Sequence, residues 1–371
     1  MHLLSIQFFE IVQRSFLPTN LTLTIFSFFI SITSIEVMLR IAETFKYQNS
    51  KIQYESYLEI YSDERNQPYV FHHQKDIQVT LKNGYYSFTF NTDKNGFRGF
   101  NKENISDESI ITIGDSIVEG ASVDTGETFS SILEQKTGIT TYNLGVGSYN
   151  TKHAYELLKA KYKPEYNTKL IILGYCLNDL GQNSFLRYFD SKVGNWKKLR
   201  DINSFDSSKN IKTKTQKNFL NQTKKFLLRS KVVYLINSAT KKYILRDFQN
   251  IYHINEVNNE DLKYTKKHLS DLSNFSNSIG AELIVLIFPS RGQVKANIAV
   301  DQLQQYAIIE ILNELNLTYI DFLKIFRTEY KKYPQKRLFW DEIHPYKEGH
   351  KLIGNYLFKN IDFNLFSLNK E

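Results

Sequence analysis

The stretch Ser109-Ile110-Ile111-Thr112-Ile113-Gly114-Asp115-Ser116 decides the architecture. Four of its first five residues are β-branched, and they run without polar alternation. Such a run suits a parallel strand covered on both faces. Gly114 permits a tight turn at the strand's end, and Ser116 then emerges at the start of the next element. A serine placed there exposes its hydroxyl at the rim of a sheet, with its own N–H directed into the same space. Alone, Gly-Asp-Ser is an ordinary turn or helix cap.

Downstream the same grammar repeats. Thr140–Leu144, Lys169–Leu173, Ala281–Phe288 and Leu317–Ile320 read as further strands. Glu127–Lys136, Lys152–Lys161 and Asp261–Ser278 read as helices between them. Strands alternating with helices predict an open α/β/α sandwich on a parallel sheet, with ligands at the carboxyl ends of the strands. Asp179 to about Asp261 is a long insertion at such an end, with a helix expected near Gln216–Val233. Its place suits a lid or a substrate-binding subdomain.

Charge is concentrated in that insertion. Residues 181–250 hold sixteen Lys or Arg against four Asp or Glu, a local +12 within a total of +8, so the rest of the chain carries −4. Such a stretch can face anionic lipid, an acidic polysaccharide or nucleic acid, or form a solvated lysine-rich surface. No basic zipper, zinc-finger spacing or aromatic-basic motif supports nucleic acid, so none is expected as a partner. A balance of 42% hydrophobic and 23% charged residues over 371 positions supports a sizeable core. The single cysteine, Cys176, excludes an intramolecular disulfide framework and a zinc site built from several thiolates.

Upstream, Ile77–Thr80 and Tyr85–Phe90 flank Asn83-Gly84, a good hairpin signal because both turn residues accept positive φ. Nearer the N-terminus, Leu21–Leu39 holds twelve apolar residues, six Ser or Thr, and Glu36 as its one charge. As a helix it spans about 28 Å, close to the hydrocarbon thickness of a bilayer. The hydroxyls can bond back to helix carbonyls, and Glu36 can pair with Arg40 at i+4. Twenty residues precede the run and no small-x-small site follows it, so an uncleaved anchor is expected rather than a cleaved signal peptide. The implied organisation is an N-terminal segment (1–20), a transmembrane anchor (21–42) and a linker with a small β appendage (43–104). A catalytic domain (105–365) comes next, carrying the basic insertion at about 180–260.

A second chemical signal lies far away, at Phe339-Trp340-Asp341-Glu342-Ile343-His344-Pro345. A serine hydroxyl needs a base to become a nucleophile at neutral pH, and imidazole is the usual one. A carboxylate three residues before the histidine can hold the ring's tautomer and stabilise the imidazolium. Asp341, Glu342, His344 and His350 also raise a metal cluster, but their spacing does not match the helical His-x-x-x-His pattern. No metal is expected. Two loops complete the set. Asn143 to Asn150 contains Gly145 and Gly147 and can present backbone N–H groups, while Gly174 to Asp179 ends a strand with the Asn178 amide. A tetrahedral oxyanion needs two or three such donors.

Together these residues resemble the SGNH/GDSL hydrolases, which implies a flavodoxin-like three-layer α/β/α sandwich. Gly114-Asp115-Ser116 matches the family's first block, Asn178-Asp179 its third, and Asp341 to Pro345 its last. Glu36 to Arg40 and the segment Asn95-Gly96-Phe97-Arg98-Gly99 resemble the membrane-anchored branch. One position departs: the second block's oxyanion glycine falls on Ser148, with Gly147 one residue earlier. Serine can still donate its backbone N–H unless the backbone there demands glycine, in which case Gly147 takes the role.

The resemblance implies Ser116 as nucleophile, His344 as base and Asp341 as its orienting carboxylate. Ser116, Ser148 and Asn178 would hold the oxyanion, and no cofactor is required. It implies an acyl-ester substrate, with a cell-envelope glycan or lipid ester among the candidates. It also places the catalytic domain outside the cytoplasm. The count of Arg14 before the apolar run against Arg40, Lys46 and Lys51 after it points the other way by a small margin. Two alternatives stay open: an O-acyltransferase using the same triad, and a non-catalytic glycan-binding or assembly protein on the same fold. Oligomeric state is not readable.

Overall fold

The computed structural model describes residues 19–58, 60–64, 67–83, 86–102, 105–180, 186–190, 195–199, 259–295, 303–363 and 366. The helix expected near Gln216–Val233 lies outside them. The chain divides into two compact units, residues 1–52 with 210–249 and residues 53–209 with 250–371.

Helix α1, Thr19–Leu58, contains neither Gly nor Pro, so nothing in its sequence breaks it. Within it, Leu23–Ile41 has a mean hydropathy of 1.6 and none of it is buried. Ser31 Oγ donates to the Ser27 carbonyl and Thr33 Oγ1 to the Phe29 carbonyl, each at 2.8 Å. The hydroxyls are thereby satisfied within the helix. Arg40 pairs with Glu36 at 2.7 Å. By length and composition this segment can cross a membrane, a property that signal sequences share.

In the second unit, strands β1 (Tyr61–Glu64) and β2 (Val70–His73) form an antiparallel pair. No alternation in the sequence announces them. Strands β3 (Gln78–Asn83) and β4 (Tyr86–Asn91) form the expected hairpin. Their closing pair is Asn83 with Tyr86, so Asn83 ends β3 instead of entering the turn.

The main sheet comprises β5 (Ser109–Gly114), β6 (Thr140–Gly145), β7 (Thr168–Cys176), β10 (Glu282–Phe288) and β11 (Thr318–Asp321). Between β7 and β10, β8 (Leu186–Asp190) and β9 (Asn195–Leu199) pair antiparallel inside the insertion. The five main strands are all parallel, in the order β6-β5-β7-β10-β11. This is the flavodoxin-like order, and its topological switch point lies between β5 and β7.

The apolar runs of the strands split by parity. Ile111, Ile113, Ile171, Leu173, Val285 and Ile287 enter one core, and Ile110, Leu170, Ile172, Ile284, Leu286 and Phe288 the other. Helices cover both faces. Leu157 and Leu158 of α4 (Thr151–Lys161), Leu269 and Leu272 of α5 (Asn259–Ser278) and Ile308 and Leu312 of α7 (Leu303–Glu314) close the first core. Phe129 and Leu133 of α3 (Phe129–Thr137), Phe322 and Phe326 of α8 (Phe322–Lys332) and Ile353 and Leu357 of α9 (Lys347–Asn360) close the second. The handedness rule requires this split. The chain moves one way from β5 to β6 and the opposite way afterwards, so right-handed crossovers put α3 on one face and α4, α5 and α7 on the other. Each fully buried Leu, Ile or Phe contributes about 1.5–3 kcal/mol, which makes these two layers the main source of stability.

Candidate active site

A row of three glycines creates the site. Gly145, Gly114 and Gly174 stand in register across β6, β5 and β7. A Cβ on Gly145 would lie 2.3 Å from the Glu119 amide nitrogen, and one on Gly174 would lie 2.3 Å from a Val118 methyl. The missing side chains let the short helix α2 (Ser116–Glu119) settle onto the end of the sheet. Asp115 caps that helix, its Oδ1 accepting from the Ile117 N–H at 2.9 Å. Ser116 is thus fixed at the switch point, with the loop after β6 on one side and the end of β7 on the other.

The distant C-terminal loop meets it there. Ser116 Oγ lies 2.8 Å from His344 Nε2, and His344 Nδ1 lies 2.7 Å from Asp341 Oδ2. Asp341 Oδ1 also accepts the Ile343 and His344 amides, at 3.0 and 2.9 Å, so one carboxylate shapes the loop and orients the ring. The loop is clamped at its base, where the Trp340 N–H donates to the His344 carbonyl at 2.8 Å. Arg291 and the Gly292 amide, at the start of α6 (Arg291–Lys295), hold Glu342, and His350 Nδ1 accepts the Phe129 amide at 3.2 Å. Two of the four residues considered for a metal cluster are therefore engaged elsewhere.

Electrostatics follow from these contacts. Burial raises the Asp341 pKa, but the hydrogen bond and charge of His344 and two backbone amides outweigh it and hold the carboxyl at about 2. Burial works against a charged His344, yet the bond and charge of Asp341, with Asp115 and Glu119 behind it, raise the ring's pKa above the ordinary imidazole value. An ionised Asp341 accepts only, so the neutral ring carries its proton on Nδ1 and offers the Nε2 lone pair to Ser116. Burial also pushes Asp115 up to about 6 and Asp179 well above the carboxylate range. Asp179 Oδ2 accepts from Thr151 Oγ1 at 3.4 Å at the start of α4.

The second-block loop treats the two candidate donors, Gly147 and Ser148, differently. The Gly147 N–H is spent on Glu119 Oε1 at 2.9 Å. The positive φ falls on Ser148, at 66°. At 147 a Cβ would lie 2.8 Å from Tyr61 Oη, so a side chain there would press on the Tyr61–Glu119 contact. Serine tolerates the left-handed region at modest cost, so Ser148 keeps an N–H that no Glu119 bond consumes. Asn178 lies in a single 3₁₀ turn, Leu177–Asp179, directly after β7. Its side chain is outside the described residues.

Sequence reasoning missed Tyr61, His73 and Glu119, which meet beneath this loop. Their only signal was Glu119 itself, a charged residue three places past Ser116 in an otherwise apolar turn of helix.

Among solved structures, the chain is similar to a member of the lipolytic protein G-D-S-L family from Veillonella parvula. Identity is 13% and the TM-score 0.39, covering 68% of this chain and 98% of that one. It is also similar to an acetylxylan esterase from Geobacillus stearothermophilus at 15% identity and a TM-score of 0.39, covering 71% and 98%. No curated protein sequence matches the chain. The model of the GDSL-like lipase/acylhydrolase family matches residues 112–352, from within β5 into α9. That span covers the glycine row, Ser116 and the Asp341–His344 loop, so the chain belongs to the GDSL-like lipase/acylhydrolase family and is a hydrolase acting on ester bonds.

Proposed function

We propose that the protein is a membrane-anchored serine esterase that removes an O-acyl group from a cell-envelope glycan through an acyl-enzyme at Ser116. The observation that carries the reading is the unbroken chain of short hydrogen bonds from Ser116 Oγ through His344 to Asp341. In the first step His344 Nε2 takes the Ser116 proton as Oγ bonds to the ester carbonyl carbon. Charge moves to the carbonyl oxygen, where the Ser116 and Ser148 N–H groups and the Asn178 amide receive it. The tetrahedral intermediate collapses, the C–O bond to the alcohol breaks, and His344 returns the proton to the leaving oxygen. Water then repeats the sequence and frees the acid and Ser116.

Two observations support the anchor and the glycan. Leu23–Ile41 is apolar and unburied, with its single acid paired to Arg40. A cavity of about 220 Å³ is lined by Trp340, the residue before Asp341 in the chain, with Tyr346, Ser122, Asp124, Glu127 and Lys347. Aromatic side chains set among hydroxyl and charged groups suit a sugar ring. An extracytoplasmic site would give that cavity access to envelope glycans.

Turnover of an acetyl ester by the purified protein, with and without a glycan acceptor, tests the reaction. Acetate release in water alone is the expected result. Turnover only with acceptor present would reject hydrolysis in favour of acyl transfer.

A further inference from the structure

The proposed mechanism gives the buried carboxylate of Glu119 no task. The Glu119 side chain is 1% exposed, and its Oε1 receives three donors. They are Tyr61 Oη at 2.7 Å, His73 Nε2 at 2.7 Å and the Gly147 N–H at 2.9 Å. Burial alone would favour the neutral acid, but these donors reverse it and the Glu119 pKa lies below the usual value. Glu119 is therefore an ionised hub between the nucleophile helix α2 and the loop that carries Ser148.

Two of its partners come from the β appendage. Tyr61 lies on β1 and His73 on β2, both upstream of residue 112, where the family match begins. The appendage reaches the same region twice more. Arg98 donates to the Glu119 carbonyl at 3.2 Å and to the Val123 carbonyl at 2.9 Å, with its guanidinium 3.8 Å above the Phe90 ring. Tyr149 Oη donates to the Phe71 carbonyl and, at 3.2 Å, to the Tyr69 carbonyl. Both sides of Ser148 are thus tethered to the appendage, at 147 through Glu119 and at 149 directly.

We propose that Glu119, held by Tyr61 and His73, is a positioning residue that fixes the Val146–Gly147 peptide and, through Gly147, aims the next N–H, that of Ser148, at the oxyanion. The β appendage is then part of the active-site scaffold, not a spacer between anchor and enzyme. Ser148 needs such a hold because its left-handed backbone is one that a free loop would leave. The catalytic half of this inference rests on the proposed esterase function; the structural half does not.

The test uses the full chain in detergent and compares Glu119→Gln, Tyr61→Phe, His73→Phe and His73→Gln. Glutamine at 119 keeps the shape but loses the charge and the His73 pairing. Its kcat should fall on the order of 10²-fold, the size of one lost oxyanion donor, with KM within about twofold. Amide exchange at Gly147 and Ser148 should quicken. Tyr61→Phe removes a single hydroxyl, keeps the ring, and should show the same pattern at about tenfold or less, so it carries the test if Glu119→Gln does not fold. His73→Gln retains a donor and should recover most of what His73→Phe loses. Wild-type kcat and exchange in both Glu119→Gln and Tyr61→Phe would overturn the proposal. So would a loss confined to KM, or a kcat loss with unchanged exchange. If Ser116→Ala still turns over ester at the wild-type rate, the esterase function falls instead, and exchange at 147–148 alone judges the brace.

Discussion

The amide of Gly147 donates to Glu119 Oε1 at 2.9 Å, and the neighbouring Ser148, the donor we propose for the oxyanion, sits at φ 66°. A serine in the left-handed region costs roughly 1 kcal/mol relative to glycine. Ser148→Gly should therefore raise stability by up to about 1 kcal/mol in thermal or denaturant unfolding, while labelling of Ser116 persists. Ser148→Val, β-branched at positive φ, should lose about 1–2 kcal/mol and most of the turnover. Stability falling in Ser148→Gly would mean that the side chain, not the backbone, matters there.

The raised His344 pKa and the low Asp341 pKa give a directional pH prediction. The base must be neutral to accept the Ser116 proton, so kcat/KM rises with pH and its midpoint lies above about 6.5. Asp341→Asn removes the charge that raises His344 while burial remains, so the midpoint should move to lower pH. Turnover should drop by about 10⁴-fold through the wrong tautomer. Linkage adds a stability signature. A base with a raised folded pKa contributes its full increment below about pH 6.5, and loses it as pH rises through the folded value. A pH–rate profile of both proteins decides the point, and an unmoved midpoint would separate Asp341 from His344.

Leu23–Ile41 should hold the protein in the membrane. After alkaline carbonate washing, the full chain should remain in the pellet. Protease added to intact cells should digest the region after residue 58 while leaving a cytoplasmic marker untouched. Release by carbonate would remove the anchor, and protection from protease would put the domain on the cytoplasmic side.

The cavity lined by Trp340 and Tyr346 predicts a split in substrate dependence. Trp340→Ala should raise KM for an acylated oligosaccharide about tenfold, a loss near 1.4 kcal/mol, and leave KM for a small acetyl ester within about twofold. Equal effects on both substrates would assign Trp340 to holding the Asp341 loop instead.

Much of this molecule was legible because strand burial writes itself into composition. The runs at Ile110–Ile113, Leu170–Leu173 and Leu283–Phe288 are apolar on both parities, and both parities are buried. The meeting of Ser116, Asp341 and His344 was legible because each sits at a strand end or stiffened loop with residue types that have few other joint uses. The β1–β2 pair was not. Tyr61-Ser62-Asp63-Glu64 is short and polar, and Tyr61 packs at 5.4 Å on Phe71 and bonds to Glu119, contacts made only after folding. Glu119 stood out as a charge in an apolar turn, but its partners did not, since His73 is 46 positions away. The preference for Ser148 over Gly147 as the proposed donor rests on a dihedral angle and on one hydrogen bond, neither of which residue identity encodes.

Labelling with a serine-reactive fluorophosphonate, followed by peptide mapping, tests the central claim most directly. The full chain should take up one probe at Ser116, and both Ser116→Ala and His344→Ala should abolish uptake in protein that is folded by circular dichroism. Folded wild-type protein that stays unlabelled, or carries the probe on another serine, would contradict the assignment of Ser116 and His344.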